Sequence, residues 1–166
     1  MMAFWLLPAP PAREAFSLLI RELSGRFDAP IFEPHLTLHG SAFDDVFSFE
    51  ELPQPASIEL EIVGVEHSDK FTKTVFAQFR KTNEVAEVAA AVARALGDKD
   101  NAEFNPHVSL IYKTMPAAEK AELARNIRFP FERVRFDTIK AVSTPARIES
   151  REEVESWRTL WERPLR

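Results

Sequence analysis

Two short stretches of this sequence are nearly the same: FEPHLTL at positions 32–38 and FNPHVSL at positions 104–110. Both contain Phe, Pro, His and a final Leu in the same order, and two further positions exchange Leu for Val and Thr for Ser. Repetition of the chemically useful residues in register argues against a chance match. The chain therefore carries a repeated Pro-His-x-(Thr/Ser)-Leu motif.

Each copy of the motif is predicted to lie in a β-strand. Proline disfavours a helix at that point, and the flanking β-branched and aliphatic residues favour an extended chain. Side chains two apart in a strand share one face, about 6.7 Å apart along the chain. His35 therefore shares a face with Thr37, and His107 shares a face with Ser109. The alternate apolar positions face the other way, into packing: Leu36, Leu38, Val108 and Leu110.

The rest of the chain alternates predicted strands and helices. AFWLLPA reads as a buried strand, and the helix after Pro11 is expected to end at Gly25. SIELEIVGVEHS and FTKTVFAQFR predict an antiparallel hairpin, and NEVAEVAAAVARALG predicts a helix from an Asn83 N-cap to a Gly97 C-cap. A short helix within 41–53, a helix in PAAEKAELARNI, and strands in RVRFDTIKAVS and ESWRTLWERPL complete the prediction. This order predicts one α+β domain over residues 1–166, with two related lobes and mostly antiparallel sheets.

Composition narrows the classes of function. The net charge of −5 and the pI near 5.5 argue against a surface that grips nucleic acid non-specifically. The absence of cysteine excludes disulfides, thiolate nucleophiles and cysteine-based zinc sites. No apolar run approaches the roughly 20 residues of a membrane span, and the N-terminal stretch does not resemble a signal peptide. We expect a cytoplasmic protein.

The repeated motif suggests acid–base chemistry on a phosphate. If the two lobes are related by a pseudo-two-fold axis, both His-x-(Thr/Ser) pairs can face one groove. With unperturbed pKa values of about 6.5, one histidine can be neutral while the other is protonated near pH 7. That pair supplies a general base and a general acid, and the hydroxyls can donate to anionic oxygens. Such a site needs no metal ion.

The histidines also allow other interpretations. A single histidine in a strand most often packs against other side chains or lies on the surface. Two histidines in matching His-x-(Thr/Ser) motifs favour a functional site. His35 and His39 have a zinc-ligand spacing only if the segment is helical, which Pro34 argues against. His39 is expected at the groove rim or elsewhere on the surface, and His67 in a turn without a special role.

At these residues the sequence resembles the two-histidine (2H) phosphoesterase superfamily, and more closely its cyclic phosphodiesterase branch. FWLLPAP resembles the first strand of that branch, FEPHLTL and PHVSLIY its motif strands, and VEHSDKFTKTVFAQF its central hairpin. IKAVSTPARIESREEVESWRTLWERPL resembles its closing strands. The similarity spans nearly the whole chain. Plant members contain cysteines, and this chain has none.

The resemblance implies a bilobal α+β fold, in which two mostly antiparallel sheets face a central cleft and the helices lie outside. It implies hydrolysis of nucleoside 2′,3′-cyclic phosphates or ADP-ribose 1″,2″-cyclic phosphate without a cofactor. Carried over by motif, the catalytic pair is His35 and His107, and the phosphate-binding residues are Thr37 and Ser109. Tyr112 and Phe71 become substrate-binding aromatics, although strand alternation points Tyr112 away from His107 unless the strand ends there.

Two alternatives stay open at this point. One is the RNA 2′,5′-ligase-like branch of the superfamily, which acts on RNA ends. The other is a binding module that holds a nucleotide without turnover. The acidic charge favours a small nucleotide as partner, and we expect a monomer that acts away from membranes.

Overall fold

A computed structural model describes residues 1–42, 47–99, 101 and 103–166. Within those residues the strands are β1 Met2–Pro8, β2 Leu36–Ser41, β3 Ile58–His67, β4 Val75–Phe79, β5 His107–Ile111, β6 Arg133–Ser143 and β7 Arg158–Pro164. The helices are α1 Ala12–Phe27, α2 Asn83–Ala95, α3 Ala117–Asn126 and α4 Arg151–Glu155. Short 3₁₀ helices lie at Phe49–Glu51 and Phe71–Lys73.

All the described strands belong to one antiparallel sheet, in the order β1-β2-β5-β4-β3-β6-β7. Strand β1 also pairs with β6, which closes the sheet on itself. The expectation of two separate sheets is therefore corrected. The motif strands β2 and β5 are neighbours that pair at Leu36 and Val108, and this pairing joins the halves that the sequence treated as two lobes.

The strands that carry the motifs have one face in the main core and one face toward a cleft. Leu36, Val108 and Leu110 are fully buried in the main cluster of apolar side chains, together with residues from α1, α2 and α3. The period of two places the intervening polar positions on the opposite face. Strand β1 behaves in the same way: Phe4 belongs to the main core, and Trp5 lines the cleft.

Helix boundaries differ from the predicted ones by a residue or two. Helix α1 continues past Gly25 and ends where Asp28 adopts a left-handed conformation, with φ of 51°. Helix α2 is capped by the Thr82 side chain, which accepts from the Val85 amide, so Asn83 is its first residue. Gly97 follows the helix with φ of 72°, a backbone conformation that favours glycine.

The other elements follow the prediction with one addition. The central hairpin is confirmed as the antiparallel pair β3–β4. Of the segment 41–53, residues 43–46 lie outside the described part, and Phe49–Glu51 forms a 3₁₀ turn. The sequence reading missed α4, whose capping box joins Ser150 and Glu153. No helix in the described ranges is long and apolar enough to cross a membrane.

Candidate active site

A cleft of about 610 Å³ opens on the face of the sheet that lies opposite the main core. His35 and Thr37 line it from the first motif, and His107 and Ser109 line it from the second. The structure thus brings together the four side chains that strand alternation placed on common faces. His35 lies directly before β2, and His107 is the first residue of β5.

The two histidines are held by the same local device. His35 Nδ1 lies 2.7 Å from the Glu33 carbonyl oxygen, and His107 Nδ1 lies 2.8 Å from the Asn105 carbonyl oxygen. A carbonyl oxygen only accepts, so each Nδ1 carries the hydrogen and donates it. Nε2 is then the unprotonated nitrogen of each neutral ring. The carbonyl lies two residues before the histidine in both motifs, which gives the Phe-x-Pro-His repeat a physical meaning.

Aromatic rings surround His35. The Trp5 ring stacks on the imidazole with centroids 3.8 Å apart, and the Trp157 and Phe32 rings meet it edge-on. His35 is only 7% exposed as a result. Burial lowers its pKa to about 4, against the opposing effect of the Glu33 hydrogen bond, and positive charge at His107 and Lys140 lowers it further.

His107 also lines the cleft and is half-buried. The Phe76 ring packs edge-on against it, with centroids 5.3 Å apart. Burial lowers its pKa to about 4, the Asn105 hydrogen bond opposes this, and the charges of Lys73 and Lys70 add to the lowering. Both imidazoles of the unliganded protein are therefore neutral near pH 7. This differs from the sequence-based assumption of ordinary pKa values, because the sequence does not show how completely the rings are desolvated.

The two hydroxyl residues are not equivalent. Thr37 is exposed to the cleft. Ser109 is only 4% exposed, and its hydroxyl donates to the Thr72 carbonyl oxygen at 2.7 Å. Ser109 must release that carbonyl before it can donate to a ligand, whereas Thr37 faces the cleft directly.

The two aromatic residues predicted to bind substrate, Tyr112 and Phe71, differ in their position relative to the cleft. Strand β5 ends at Ile111, which frees Tyr112 from strand alternation and lets it line the cleft. Its hydroxyl lies 3.5 Å from His35 Nε2, and its ring stacks on Phe32 at 3.8 Å. Burial raises the pKa of Tyr112 well above its usual value, so the hydroxyl stays protonated. Phe71 packs near the Tyr112 ring, centroids 6.1 Å apart, and takes no part in the described lining of the cleft.

Several lining residues were missed by the sequence reading. They include Trp5, Trp157, Lys70, Lys73 and Glu103. Trp5 carried a usable signal, because the alternation of β1 sends odd-numbered residues away from the main core that holds Phe4. The two lysines carried none, since a charged pair in a turn is indistinguishable from a solvated surface.

An ion-paired lysine supports the loop that holds His35. Lys140 of β6 is buried, and its Nζ lies 2.7 Å from Glu33 Oε2 and 3.1 Å from Glu162 Oε2. Burial would lower the pKa of Lys140, but the hydrogen bonds to both carboxylates outweigh it and raise that pKa. Glu33 is also the residue whose carbonyl accepts from His35, so Lys140 fixes the backbone that orients the imidazole.

His39 lies at the rim of the cleft, as expected, and it has its own partner. Its Nε2 lies 2.8 Å from Asp98 Oδ2. Among the residues that the structure describes, no group of three or more His, Cys, Asp or Glu side chains is arranged to hold a metal ion.

Comparison with known proteins identifies the family. The sequence model of one family, described as cyclic phosphodiesterase-like protein, matches residues 1–163. The chain belongs to the cyclic phosphodiesterase-like family. The resemblance to the 2H phosphoesterase superfamily is thereby confirmed, as is the prediction of a hydrolase of this family.

Named relatives and solved structures agree with this placement. A 2′,3′-cyclic-nucleotide 3′-phosphodiesterase of Neurospora crassa is 25% identical over 154 aligned positions, which cover 70% of this chain and 73% of that protein. A cyclic phosphodiesterase of Arabidopsis thaliana is 26% identical over 121 positions, covering 70% and 67%. The structure of Escherichia coli LigT without ligand has the same fold, with a TM-score of 0.64, 14% identity and coverage of 99% of this chain and 96% of LigT.

Proposed function

We propose that this protein hydrolyses cyclic nucleotide phosphates without a metal ion, with His35 and His107 as the general acid–base pair. The observation that carries the proposal is the matched presentation of two imidazoles in one cleft. Each has Nδ1 fixed by a backbone carbonyl, so that Nε2 is left for chemistry. The substrates proposed are a nucleoside 2′,3′-cyclic phosphate or ADP-ribose 1″,2″-cyclic phosphate.

The reaction assigns a distinct proton transfer to each imidazole. One neutral Nε2 accepts a proton from water as the water oxygen attacks phosphorus. The ring P–O bond breaks, and the other imidazole, protonated at Nε2, donates its proton to the departing sugar oxygen. The product is a phosphomonoester, and the two histidines have exchanged protonation states. A proton returned through solvent restores the starting pair.

The proposed phosphate contacts rest on exposure and hydrogen bonding. Thr37 is exposed in the cleft and can donate to a non-bridging oxygen. We assign Ser109 the same role, although its hydroxyl must first break its hydrogen bond to the Thr72 carbonyl oxygen. Tyr112, whose hydroxyl reaches toward His35 Nε2, is proposed to contact the substrate beside that imidazole. The names of the Neurospora and Arabidopsis relatives support the substrate class.

Turnover of defined substrates in the presence of a chelator tests the proposal. Purified protein in excess EDTA is given adenosine 2′,3′-cyclic phosphate or ADP-ribose 1″,2″-cyclic phosphate, and the phosphomonoester is measured by chromatography. Activity is expected to survive EDTA. Replacing His35 or His107 by Ala is expected to lower kcat/KM by about 10²–10⁴, the usual contribution of a general acid or base.

His67 supplies the matched control. It is an exposed histidine at the end of β3, outside the described lining of the cleft, so His67→Ala should retain wild-type rates. Loss of all activity in EDTA with recovery on adding zinc or manganese would refute the metal-independent mechanism. Tight nucleotide binding without turnover would favour a binding module, and turnover restricted to RNA with a terminal cyclic phosphate would favour an RNA-end function.

A further inference from the structure

The cleft contains a pair of lysines that the acid–base chemistry does not use. Lys70 and Lys73 line it from the 3₁₀ turn that precedes β4. The buried lysines in the described part of the chain are paired with carboxylates: Lys140 with Glu33 and Glu162, and Lys120 with Asp69. Among the described residues, neither Lys70 nor Lys73 forms an ion pair within 4.0 Å. In a chain with a net charge of −5, two ammonium groups at a cleft without an ion-paired carboxylate indicate an anionic ligand.

Lys73 lies at the end of the cleft that holds His107. Its Nζ lies over the Phe76 ring, 4.5 Å from the centroid, and the same ring packs edge-on against the His107 imidazole. Burial lowers the pKa of Lys73, and the neighbouring charge of Lys70 lowers it further. The charge of Glu66 opposes this lowering and is the smallest of the three effects. A bound anion would relieve both the desolvation of Lys73 and its repulsion by Lys70.

The turn that carries the lysines is fixed in place by hydrogen bonds at several points. Ser109 Oγ donates to the Thr72 carbonyl, and Thr74 Oγ1 donates to the Lys113 carbonyl at 2.9 Å. Buried Lys120 donates to the Ser68 carbonyl at 2.9 Å and to the Asp69 carboxylate. The two lysines therefore project from a rigid support, so an ion pair formed there loses little backbone entropy.

We infer that Lys70 and Lys73 form a second anion subsite, which binds a phosphate of the substrate other than the one that is cleaved. The inference rests on the proposed function and specifies its substrate class: a cyclic phosphate nucleotide that carries a further phosphate or diphosphate. The scissile cyclic phosphate carries one negative charge, which the histidine pair and Thr37 can accommodate. Lys73 contacts the Phe76 ring beside His107, where a second phosphate of the same molecule can reach it.

The acidic residue in the described lining sets the orientation of such a ligand. Glu103 also lines the cleft and repels a phosphate, which disfavours an anion next to its carboxylate and favours one next to the lysines. A nucleoside cyclic phosphate without a second phosphate does not make this electrostatic interaction. It binds through its base, sugar and scissile phosphate alone.

Two substrates that differ by one phosphate test the subsite. They are adenosine 2′,3′-cyclic phosphate and the same molecule with a 5′-phosphate. The wild-type protein is expected to show a kcat/KM about tenfold higher for the 5′-phosphorylated substrate, the size expected of two partly exposed ion pairs. In the double variant Lys70→Gln/Lys73→Gln this ratio should fall to near one. The ratio in the wild type should also fall as ionic strength rises.

Exposed Lys99 lies outside the described lining, and Lys99→Gln provides a control for loss of a lysine elsewhere on the surface, which should keep the tenfold ratio. A wild-type ratio near one would overturn the inference. So would equal losses on both substrates in the double variant, which would assign the lysines to the scissile phosphate instead.

Equilibrium binding separates failure of this inference from failure of the proposed function. Titration calorimetry compares adenosine 2′-phosphate with adenosine 2′,5′-bisphosphate, and neither measurement requires turnover. The bisphosphate should bind the wild type about tenfold more tightly and bind the double variant with no such advantage. A protein without phosphodiesterase activity that still shows this difference would retain the subsite and lose the proposed reaction. Equal affinities in the wild type would remove the subsite whatever the activity.

Discussion

Burial of His35 makes the stability of the protein depend on pH in a way that one substitution can isolate. The pKa of His35 is about 4 in the folded protein, because the ring is desolvated, and about 6.5 in an unfolded chain. Between these values the unfolded chain binds a proton that the folded protein does not. The neutral His35 therefore does not reduce the free energy of unfolding above pH 6.5. The free energy of unfolding decreases as the pH falls from 6.5 toward 4.

The size of this loss follows from the two pKa values. At pH 7 both states are largely unprotonated and His35 costs almost nothing. At pH 5 the proton on the unfolded chain lowers the free energy of unfolding by about 2 kcal/mol, and at pH 4 by about 3 kcal/mol. These amounts are a large part of the 5–15 kcal/mol that is typical of a whole domain.

The variant His35→Asn removes the titrating group and keeps a donor that can reach the Glu33 carbonyl. Urea unfolding of wild type and variant at pH 7, 6, 5 and 4 gives the free energy of unfolding at each pH. The wild type is expected to lose about 2 kcal/mol more than the variant between pH 7 and pH 5. His67→Asn, at an exposed position, should follow the wild type. Parallel curves for wild type and His35→Asn would refute the argument that His35 is buried in its neutral form.

Three further outcomes are expected. The pKa values of His35 and His107 are both lowered to about 4, so kcat/KM should be highest at acidic pH and fall about tenfold per pH unit above pH 5. A maximum of kcat/KM at pH 7 in initial-rate measurements would contradict this. Lys140→Met should raise the pKa of His35, seen by NMR titration of its ring proton, and Lys140→Arg should restore it. Thr37→Val should lower kcat/KM more than Ser109→Ala, because the Ser109 hydroxyl is already donated to a carbonyl; the reverse order in steady-state kinetics would reassign the phosphate contact.

The sequence was sufficient where local geometry decides the outcome. Strand alternation alone put His35 with Thr37 and His107 with Ser109, and the structure has all four at one cleft. The sequence also indicated that Tyr112 could reach the cleft only if the strand ended before it. Strand β5 does end at Ile111, one residue before Tyr112. These predictions depend on two or three neighbouring residues and on a period of two, which no tertiary contact overrides here.

Features that depend on pairing between distant segments could not be predicted from the sequence. Two long-range features unite β2 and β5 in one sheet: the pairing of Leu36 with Val108, and strand β6, which pairs with both β1 and β3. Neither leaves a mark on the motifs. The hydrogen bond from Ser109 to Thr72 likewise joins segments far apart in the chain. The lowered histidine pKa values come from rings such as Trp5, which an isolated motif does not include.

The neutral imidazoles and the proposed acid–base pair are reconciled by the charge of the substrate. Catalysis requires one protonated histidine, yet burial holds the pKa of each near 4. A single negative charge about 4 Å from an imidazolium, at the effective dielectric constant of about 20 that suits such sites, stabilises it by about 4 kcal/mol. That energy is enough to return a pKa of about 4 to near neutrality. The cyclic phosphate thus supplies the charge that protonates its own general acid, and an empty cleft keeps both histidines uncharged. On this reasoning the alkaline limb of kcat, which follows deprotonation of the general acid, lies at higher pH than that of kcat/KM. The reason is that kcat reports the pKa values of the complex and kcat/KM those of the free protein.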